Sequence, residues 1–294
     1  MAGRFGAVVT AMVTPFRDDF SLDLDAAQEL AAYLLEHGSD ALVVAGSTGE
    51  APTLTNEEKR DLFRAIVEAA GHHGKVICGT GTYSTADTLE LTRMAEDAGA
   101  DAALIVTPYY NKPPQRGLLA HFQKVAGSTS LPLILYNIPG RTGIRIDHDT
   151  LLTLASVPNI VAVKDSTGDF EGVSRLIREG PPDFEVYSGD DWATFGYACL
   201  GAVGAISVVS HVAGERVHHM MELVTTGDVP AARKVHEELM PLAKALFVTS
   251  NPIPVKAALE IVGRPAGPPR LPLVPATPAE RETIRNALED AGIV

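Results

Sequence analysis

The sequence predicts an α/β fold, a (β/α)8 (TIM) barrel with a C-terminal helical extension. Three observations carry that prediction. Short apolar runs recur at 7–13, 41–45, 75–78, 102–106, 132–136, 160–163, 184–187 and 203–208, eight in all. Several are continuous in apolar residues rather than alternating, as parallel strands covered on both faces should be. Helical spacing fills the gaps, and a weak repeat of glycine followed by a buried strand returns as GSDALVV (38–44), GADAALIV (99–106) and GAVGAISV (201–208). An open doubly wound sheet would need a dinucleotide or phosphate signature, and GTGTYS (79–84) falls short of GxGxxG because Ser84 stands where the third glycine belongs.

The helices follow in order. Thr55 with Glu58 three residues later is a capping-box pattern, and Leu62, Phe63 and Ile66 then share one face. Ser84 with Asp87 repeats it ahead of Leu91, Met94, Ala95 and Ala98, and Gly38 and Gly99 stop their helices. After about residue 210 the strand signals cease. HVAGERVHHMMELVTTG, VPAARKVHEELMPLAKALF and NPIPVKAALEIVG read as helices, and a proline-rich connector (264–278) leads to a last helix, PAERETIRNALEDAG. Residues 1–226 are therefore expected to form the barrel with its active site, and 227–294 a helical region for packing or subunit contact.

Composition narrows the functional classes. The 294 residues are 46% hydrophobic and carry a formal net charge of -13, which opposes binding to nucleic acid or an anionic membrane through bulk charge. No run of about 18 apolar residues could span a bilayer. MAGRFGAVVT lacks a secretory pattern, and the two cysteines, Cys78 and Cys199, form neither a disulfide framework nor a CxxC pair. A cytoplasmic setting is expected.

Barrel chemistry sits where strands end. The ends carry AGSTGE (45–50) with Ser47 and Thr48, TPYYNKPP (107–114) with Tyr109 and Tyr110, and YNIPGRTG (136–143) with Tyr136 and Arg141. Lys164 and YSGDD (187–191) end the sixth and seventh strands. Each has a plain reading. Lys164 could be a solvated cation or a partner of Asp165, the tyrosines could pack their rings, Arg141 could hold a nearby carboxylate, and the glycines could be turn residues. The His72–His73 and His218–His219 pairs point about 100° apart on a helix, and His211 and His218 lie two turns apart, so surface histidines are expected rather than a metal site.

The set of residues reads differently from its members. A lysine in a dry pocket loses its proton more readily, and its amine can form a Schiff base with a 2-oxo acid. The imine draws electrons from the neighbouring carbon and gives an enamine nucleophile without metal or organic cofactor. Tyrosine and threonine hydroxyls can relay the protons, the GSTGE loop suits a carboxylate, and an arginine can grip a second one.

AGSTGEAPTLT, TPYYNKPPQRGLLAHF, LYNIPGRTG, VKDSTGD, YSGDD and NPIPVKAAL, in that order, resemble the dihydrodipicolinate synthase family of pyruvate-dependent, class I aldolase-like barrels. The resemblance runs from GAVVTAMVTPF to the PIPVK helix. It implies condensation of pyruvate with L-aspartate 4-semialdehyde to 4-hydroxy-tetrahydrodipicolinate, on the route to diaminopimelate and lysine. It further implies that Lys164 forms the imine, Tyr136 transfers protons beside it, and Thr48 links Tyr136 to Tyr110, which enters a neighbouring subunit's site in a homotetramer built as a dimer of dimers. Ser47 and Thr48 would bind the pyruvate carboxylate, Arg141 the carboxylate of the aldehyde, and Gly189 and Ile206 would line the pocket with backbone atoms. Ser47 replaces the family's usual threonine and keeps the hydroxyl. At the cleft where lysine inhibits some members, the matching positions are Ala51, Pro52, Asn56, Lys59, Tyr83, Asp87 and Tyr109. Tyr83 and Lys59 depart from the expected asparagine and histidine, which implies weak or absent inhibition.

The same scaffold serves N-acetylneuraminate lyases, 2-keto-3-deoxy sugar acid aldolases and related dehydratases or decarboxylases. Arg141 in GRTG argues for a carboxylate-bearing aldehyde over a polyol. A sugar-diacid dehydratase or decarboxylase could also use it. A barrel kept only for binding would not need the whole set.

Overall fold

The computed structural model describes residues 3–294. Eight parallel strands close in sequence order: β1 (Val8–Ala11), β2 (Ala41–Val44), β3 (Lys75–Gly79), β4 (Ala102–Val106), β5 (Leu133–Asn137), β6 (Ile160–Asp165), β7 (Glu185–Ser188) and β8 (Gly204–Ser207), with β8 paired to β1. Around them run α1 (Leu24–Glu36), α2 (Asn56–Ala70), α3 (Thr85–Ala98), α4 (Gln115–Ala126), α5 (Pro139–Thr142), α6 (His148–Ala155), α7 (Phe170–Glu179), α8 (Thr194–Leu200) and α9 (Ser210–Thr226). Helices α10 (Val229–Ala245), α11 (Ile253–Ile261) and α12 (Pro278–Asp290) form the C-terminal helical part.

The apolar runs hide an alternation, interrupted in β6 where Val161 and Ala162 both pack in the interior beside a register shift against Leu133 and Ile134. Along β5, Leu133 and Leu135 face the helices while Ile134 and Tyr136 face the barrel interior. Along β6, Ala162 points in and Val163 out. Both faces are apolar because both are covered, inside by other strands and outside by helices. Residues on the inner face include small side chains, Ala41, Ala102 and Ala162, which leave room for the larger Tyr136 and Tyr187. Tyr187 fills the other end of the barrel, where its hydroxyl accepts from Phe5 N at 3.1 Å and donates to Glu185.

The caps follow the residue chemistry. Thr55 and Glu58 form both halves of a capping box at α2, and the Ser84 hydroxyl accepts from Asp87 N to start α3. Gly99 ends α3 at φ +83°. Helix α1 gives out at His37, and Gly38 follows at φ +95°. A Cβ at Gly38 would strike the backbone of Gly214 and Glu215 on α9, so both the turn and the close approach require glycine.

Beta strand six is longer than the apolar run predicts. It continues through Lys164 and Asp165, which pair with Tyr136 and Asn137 of β5 and with Tyr187 and Ser188 of β7. Lys164 therefore sits in the sheet, in register with Tyr136.

His211 departs from the surface position expected of it. It is buried at the start of α9, where its Nε2 accepts from Val13 N at 3.2 Å and its Nδ1 faces Val208 O at 2.9 Å. Ala213 breaks the helical dihedrals just after it, at φ -142° and ψ 35°. That kink turns His211 toward the barrel, away from the face His218 occupies. His72, His73 and His219 are exposed, and His218 is partly so beside Asp40 and Glu222.

Candidate active site

Lys164 is only 5% exposed, and its Nζ lies over the Tyr136 ring, 4.3 Å from the centroid. Among the described residues no carboxylate lies within 4.0 Å of that ammonium. Strand alternation explains why Asp165 is not its partner. Asp165 points the opposite way, where its carboxylate accepts from Tyr197 Oη (2.9 Å), Thr167 Oγ1 (2.7 Å) and Thr167 N (3.0 Å). Burial raises the Asp165 pKa, and the hydrogen bonds from Thr167 and Tyr197 pull it back.

The backbone beside the lysine is fitted to it. A Cβ at Gly189 would collide with Ser166 Oγ and lie 3.0 Å from Lys164 Cε, so any larger residue would press on the lysine arm. The two acids that follow flank the site. Asp191 accepts from Ser207 Oγ, from Val208 N at 3.0 Å and from Val209 N at 3.1 Å, which fixes the end of β8. Asp190 and Asp191 both have pKa values raised by burial, with the Lys164 charge opposing the rise. Ile206 lies on the inner face of β8 opposite Val9.

Thr48 comes from the loop after β2. This loop is held in an uncommon conformation, with Ala45 at φ +50° and Glu50 at φ +54°, both non-glycine. Thr14 Oγ1 donates to Gly49 O at 2.7 Å. Thr48 is buried, and its Oγ1 accepts from Asn251 Nδ2 at 2.8 Å. Ser47 is half-buried beside it, with its carbonyl accepting from Glu50 N at 3.2 Å. Within the single chain no hydrogen bond joins Thr48 to Tyr136 or Tyr110.

Arg141 is exposed on the short α5, and its Nη2 donates to the Asn251 carbonyl at 3.1 Å. Tyr110 stands apart. It is 93% exposed at φ +72°, on a loop where Lys112 also has a positive φ. Tyr83 and Tyr109 meet edge-on with centroids 5.5 Å apart. Lys59 is buried near Asp87; burial lowers its pKa and the Asp87 charge counters it.

Four participants escaped the sequence reading. Asn251 joins Thr48 and Arg141 from the loop before α11. Glu50 and Lys256 form a buried ion pair at 2.7 Å, an ionic contact outside hydrogen-bond geometry, behind the Thr48 loop. Arg270, in the proline-rich connector, donates its backbone N–H to Glu50 at 2.8 Å and its guanidinium to Glu58. The signal for the pair was present: a lysine inside the apolar run PIPVKAAL needs a buried acid.

Among the described residues no three His, Cys, Asp or Glu side chains come together in a way that could hold a metal ion. No helix among them is long and apolar enough to cross a membrane.

The chain is similar to known proteins over its whole length. The dihydrodipicolinate synthetase family model matches residues 4–291. The chain is 55% identical to the 4-hydroxy-tetrahydrodipicolinate synthase of Moorella thermoacetica, over 99% of this chain and 100% of that one. It is 48% identical to the synthase of Desulforudis audaxviator over the whole of both chains. Among solved structures, the enzyme from Cyanidioschyzon merolae with lysine bound superposes with a TM-score of 0.98 at 45% identity, covering 99% of this chain and 100% of that one. The Acinetobacter baumannii enzyme complexed with pyruvate does so with a TM-score of 0.96 at 42% identity, covering 99% and 100%. With a buried, unpaired lysine at the end of β6 and full-length likeness of this kind, the chain belongs to the dihydrodipicolinate synthetase family.

Proposed function

We propose that this chain is a lyase that condenses pyruvate with L-aspartate 4-semialdehyde to give 4-hydroxy-tetrahydrodipicolinate, a step toward diaminopimelate and lysine. The observation that carries the reading is Lys164: buried in the barrel mouth, over the Tyr136 ring and free of any carboxylate partner. The likeness to named synthases favours this reaction over the sugar-acid lyases and dehydratases.

The Lys164 amine attacks the ketone carbon of pyruvate, and loss of water leaves an imine. Removal of a methyl proton gives the enamine, which attacks the aldehyde carbon and forms the new C–C bond. The aldehyde oxygen takes up a proton and becomes the hydroxyl. The amine of the second substrate then attacks the imine carbon, closes the ring and releases Lys164. One water is lost overall. Tyr136 would move protons beside the imine carbon. Ser47 and Thr48 would receive the pyruvate carboxylate, and Arg141 that of the aldehyde. Gly189 and Ile206 would shape the pocket.

Tyr110 supports an assembled enzyme. An aromatic side chain so exposed, on a loop with two left-handed residues, suits insertion into the site of a second copy, where it would complete a relay with Thr48 and Tyr136. We take the working unit as a homotetramer of two such dimers, acting in the cytoplasm on small-molecule substrates. Feedback by lysine is weak or absent in this reading. The buried Lys59 ammonium already sits beside Asp87, and a ligand's ammonium would be repelled there. Strong inhibition by millimolar lysine in a steady-state assay would contradict that part.

The decisive experiment is borohydride reduction with pyruvate present, followed by intact mass and peptide mapping. A pyruvate-dependent adduct should map to Lys164 and vanish in Lys164→Ala. Arg141→Ala should keep the adduct and lose turnover with the semialdehyde. An adduct elsewhere, or none, would defeat the reading.

A further inference from the structure

We infer that Gln115 and Asn137 are positioning residues for Arg141: their two carboxamides clamp the arm of chain that returns from α5, and so set where the guanidinium stands. The inference rests on the function proposed above, in which Arg141 grips the aldehyde's carboxylate, and names the groups that hold the arginine's loop in place. Arg141 lies on a helix of four residues, Pro139–Thr142, too short to be rigid by itself. The chain leaves β5 at Asn137, passes through α5 and through Gly143 at φ +73°, and returns as residues 144–147 before α6. That returning arm belongs to no helix or strand, so its backbone groups need partners from elsewhere.

Two side chains supply them. Asn137 is 1% exposed, and its amide pairs with both backbone groups of Ile146: Oδ1 accepts from Ile146 N at 2.9 Å, and Nδ2 donates to Ile146 O at 3.3 Å. Gln115, the first residue of α4, takes the residues on either side: its Nε2 donates to Arg145 O at 2.9 Å, and its Oε1 accepts from Asp147 N at 3.1 Å. Each amide faces one N–H and one C=O, so turning either over would set donor against donor and acceptor against acceptor. In extended backbone, Ile146 N and O point to one edge while Arg145 O and Asp147 N point to the other. The arm is thus gripped on both edges, as a strand is between two neighbours. Asn137 Nδ2 also reaches Asp165 Oδ2 at 3.4 Å, which ties the clamp to β6. Because Asn137 is itself the residue where the loop departs, its side chain closes the loop at the base. A guanidinium that must meet a carboxylate at two points tolerates little wander, so loss of the clamp falls on the second substrate and spares the first.

The test uses Gln115→Ala, Gln115→Met and Asn137→Ala. Gln115 is half-buried, so its variants keep the question answerable even if the buried Asn137→Ala fails to fold. In Gln115→Ala the KM for L-aspartate 4-semialdehyde should rise about fivefold or more, as loss of two hydrogen bonds implies. The KM for pyruvate and the rate of forming the borohydride-trapped adduct should change less than about twofold. Hydrogen exchange read by mass spectrometry should quicken in a peptide spanning 138–147 and stay unchanged in the strand peptides. Gln115→Met fills similar space without hydrogen bonding and should behave like Gln115→Ala. Asn137→Ala, where folded, should show the same split more strongly. Wild-type kinetics in Gln115→Met would assign the effect to packing and overturn the clamp. So would unchanged exchange at 138–147, and so would equal weakening toward both substrates, the mark of a general disturbance. An unsubstituted enzyme that never turned over the semialdehyde would sink the functional reading together with this assignment, whereas normal turnover with an unmoved KM in the variants sinks the assignment alone.

Discussion

At the scale of single residues, the chain places polar groups by alternation and then shields them. Lys164 and Asp165 are neighbours in sequence and face opposite sides of one strand, so the ammonium enters the barrel mouth without its adjacent acid. The arrangement follows from the period of two in a strand and needs no special device. His211 shows the same economy in the opposite sense. It is buried as a neutral ring between Val13 N and Val208 O, and burial holds its pKa down at about 4. A backbone N–H donating to Nε2 requires that nitrogen to be unprotonated. The unfolded histidine, with its ordinary value near 6.5, binds a proton more readily than the folded one. Stability from this group is thus complete above about pH 6.5 and is lost as pH falls toward 4, by roughly 3 kcal/mol across the window. Urea unfolding at a series of pH values should show the loss, and His211→Asn should be less stable at pH 7 yet flatter in its pH dependence. An equal slope in both proteins would remove His211 from the account.

At the scale of elements, the C-terminal helices brace the loop that carries Thr48. Helix α11 sends Lys256 to Glu50, and the connector sends Arg270 to Glu50 and Glu58, so the strained turn at Ala45–Glu50 is held from behind. Lys256 Nζ also lies 4.4 Å from the centroid of the Phe16 ring and donates to Pro268 O. Burial lowers the Lys256 pKa, and the Glu50 charge opposes that shift. Removing one member of a buried pair strands the other charge, so Lys256→Met should cost about 3–5 kcal/mol in denaturant unfolding. Adding Glu50→Gln to it should recover much of that loss, because no charge is then left unpaired. Two single variants that each cost under about 1 kcal/mol would place the pair in the category of solvated surface bridges. The barrel strands, the capping box at Thr55 and the helix order were legible in the sequence, since each is written in local spacing. The Asn251–Thr48 and Lys256–Glu50 contacts were not. They join residues some two hundred positions apart, and only closure of the chain brings them together. His211 was misread because a helical pattern assumes unbroken dihedrals, and Ala213 breaks them.

At the scale of the whole molecule, the single chain holds most of the proposed site and leaves one member outside it. Lys164, Tyr136, Thr48 and Gly189 come from four different strand ends of the same barrel, so closure of the sheet is enough to gather them. Tyr110 is the exception, turned out on its loop and 93% exposed. The sequence placed Tyr110 among the rim residues, and only the family likeness sent it to another copy; local spacing cannot say which subunit a side chain serves. Complementation between two inactive variants separates the possibilities. Lys164→Ala lacks the amine and keeps Tyr110; Tyr110→Phe lacks the phenol and keeps the amine. If Tyr110 serves the neighbouring site, a mixed dimer rebuilds one complete site out of two. Unfolding and refolding an equal mixture should then restore about a quarter of the wild-type activity, since half the dimers are mixed and each has one intact site. If Tyr110 served its own chain, every site in the mixture would lack one member and activity would stay at the level of the separate variants. The recovered rate, measured against pyruvate and the semialdehyde, therefore reads directly whether the exposed tyrosine completes a second copy's site.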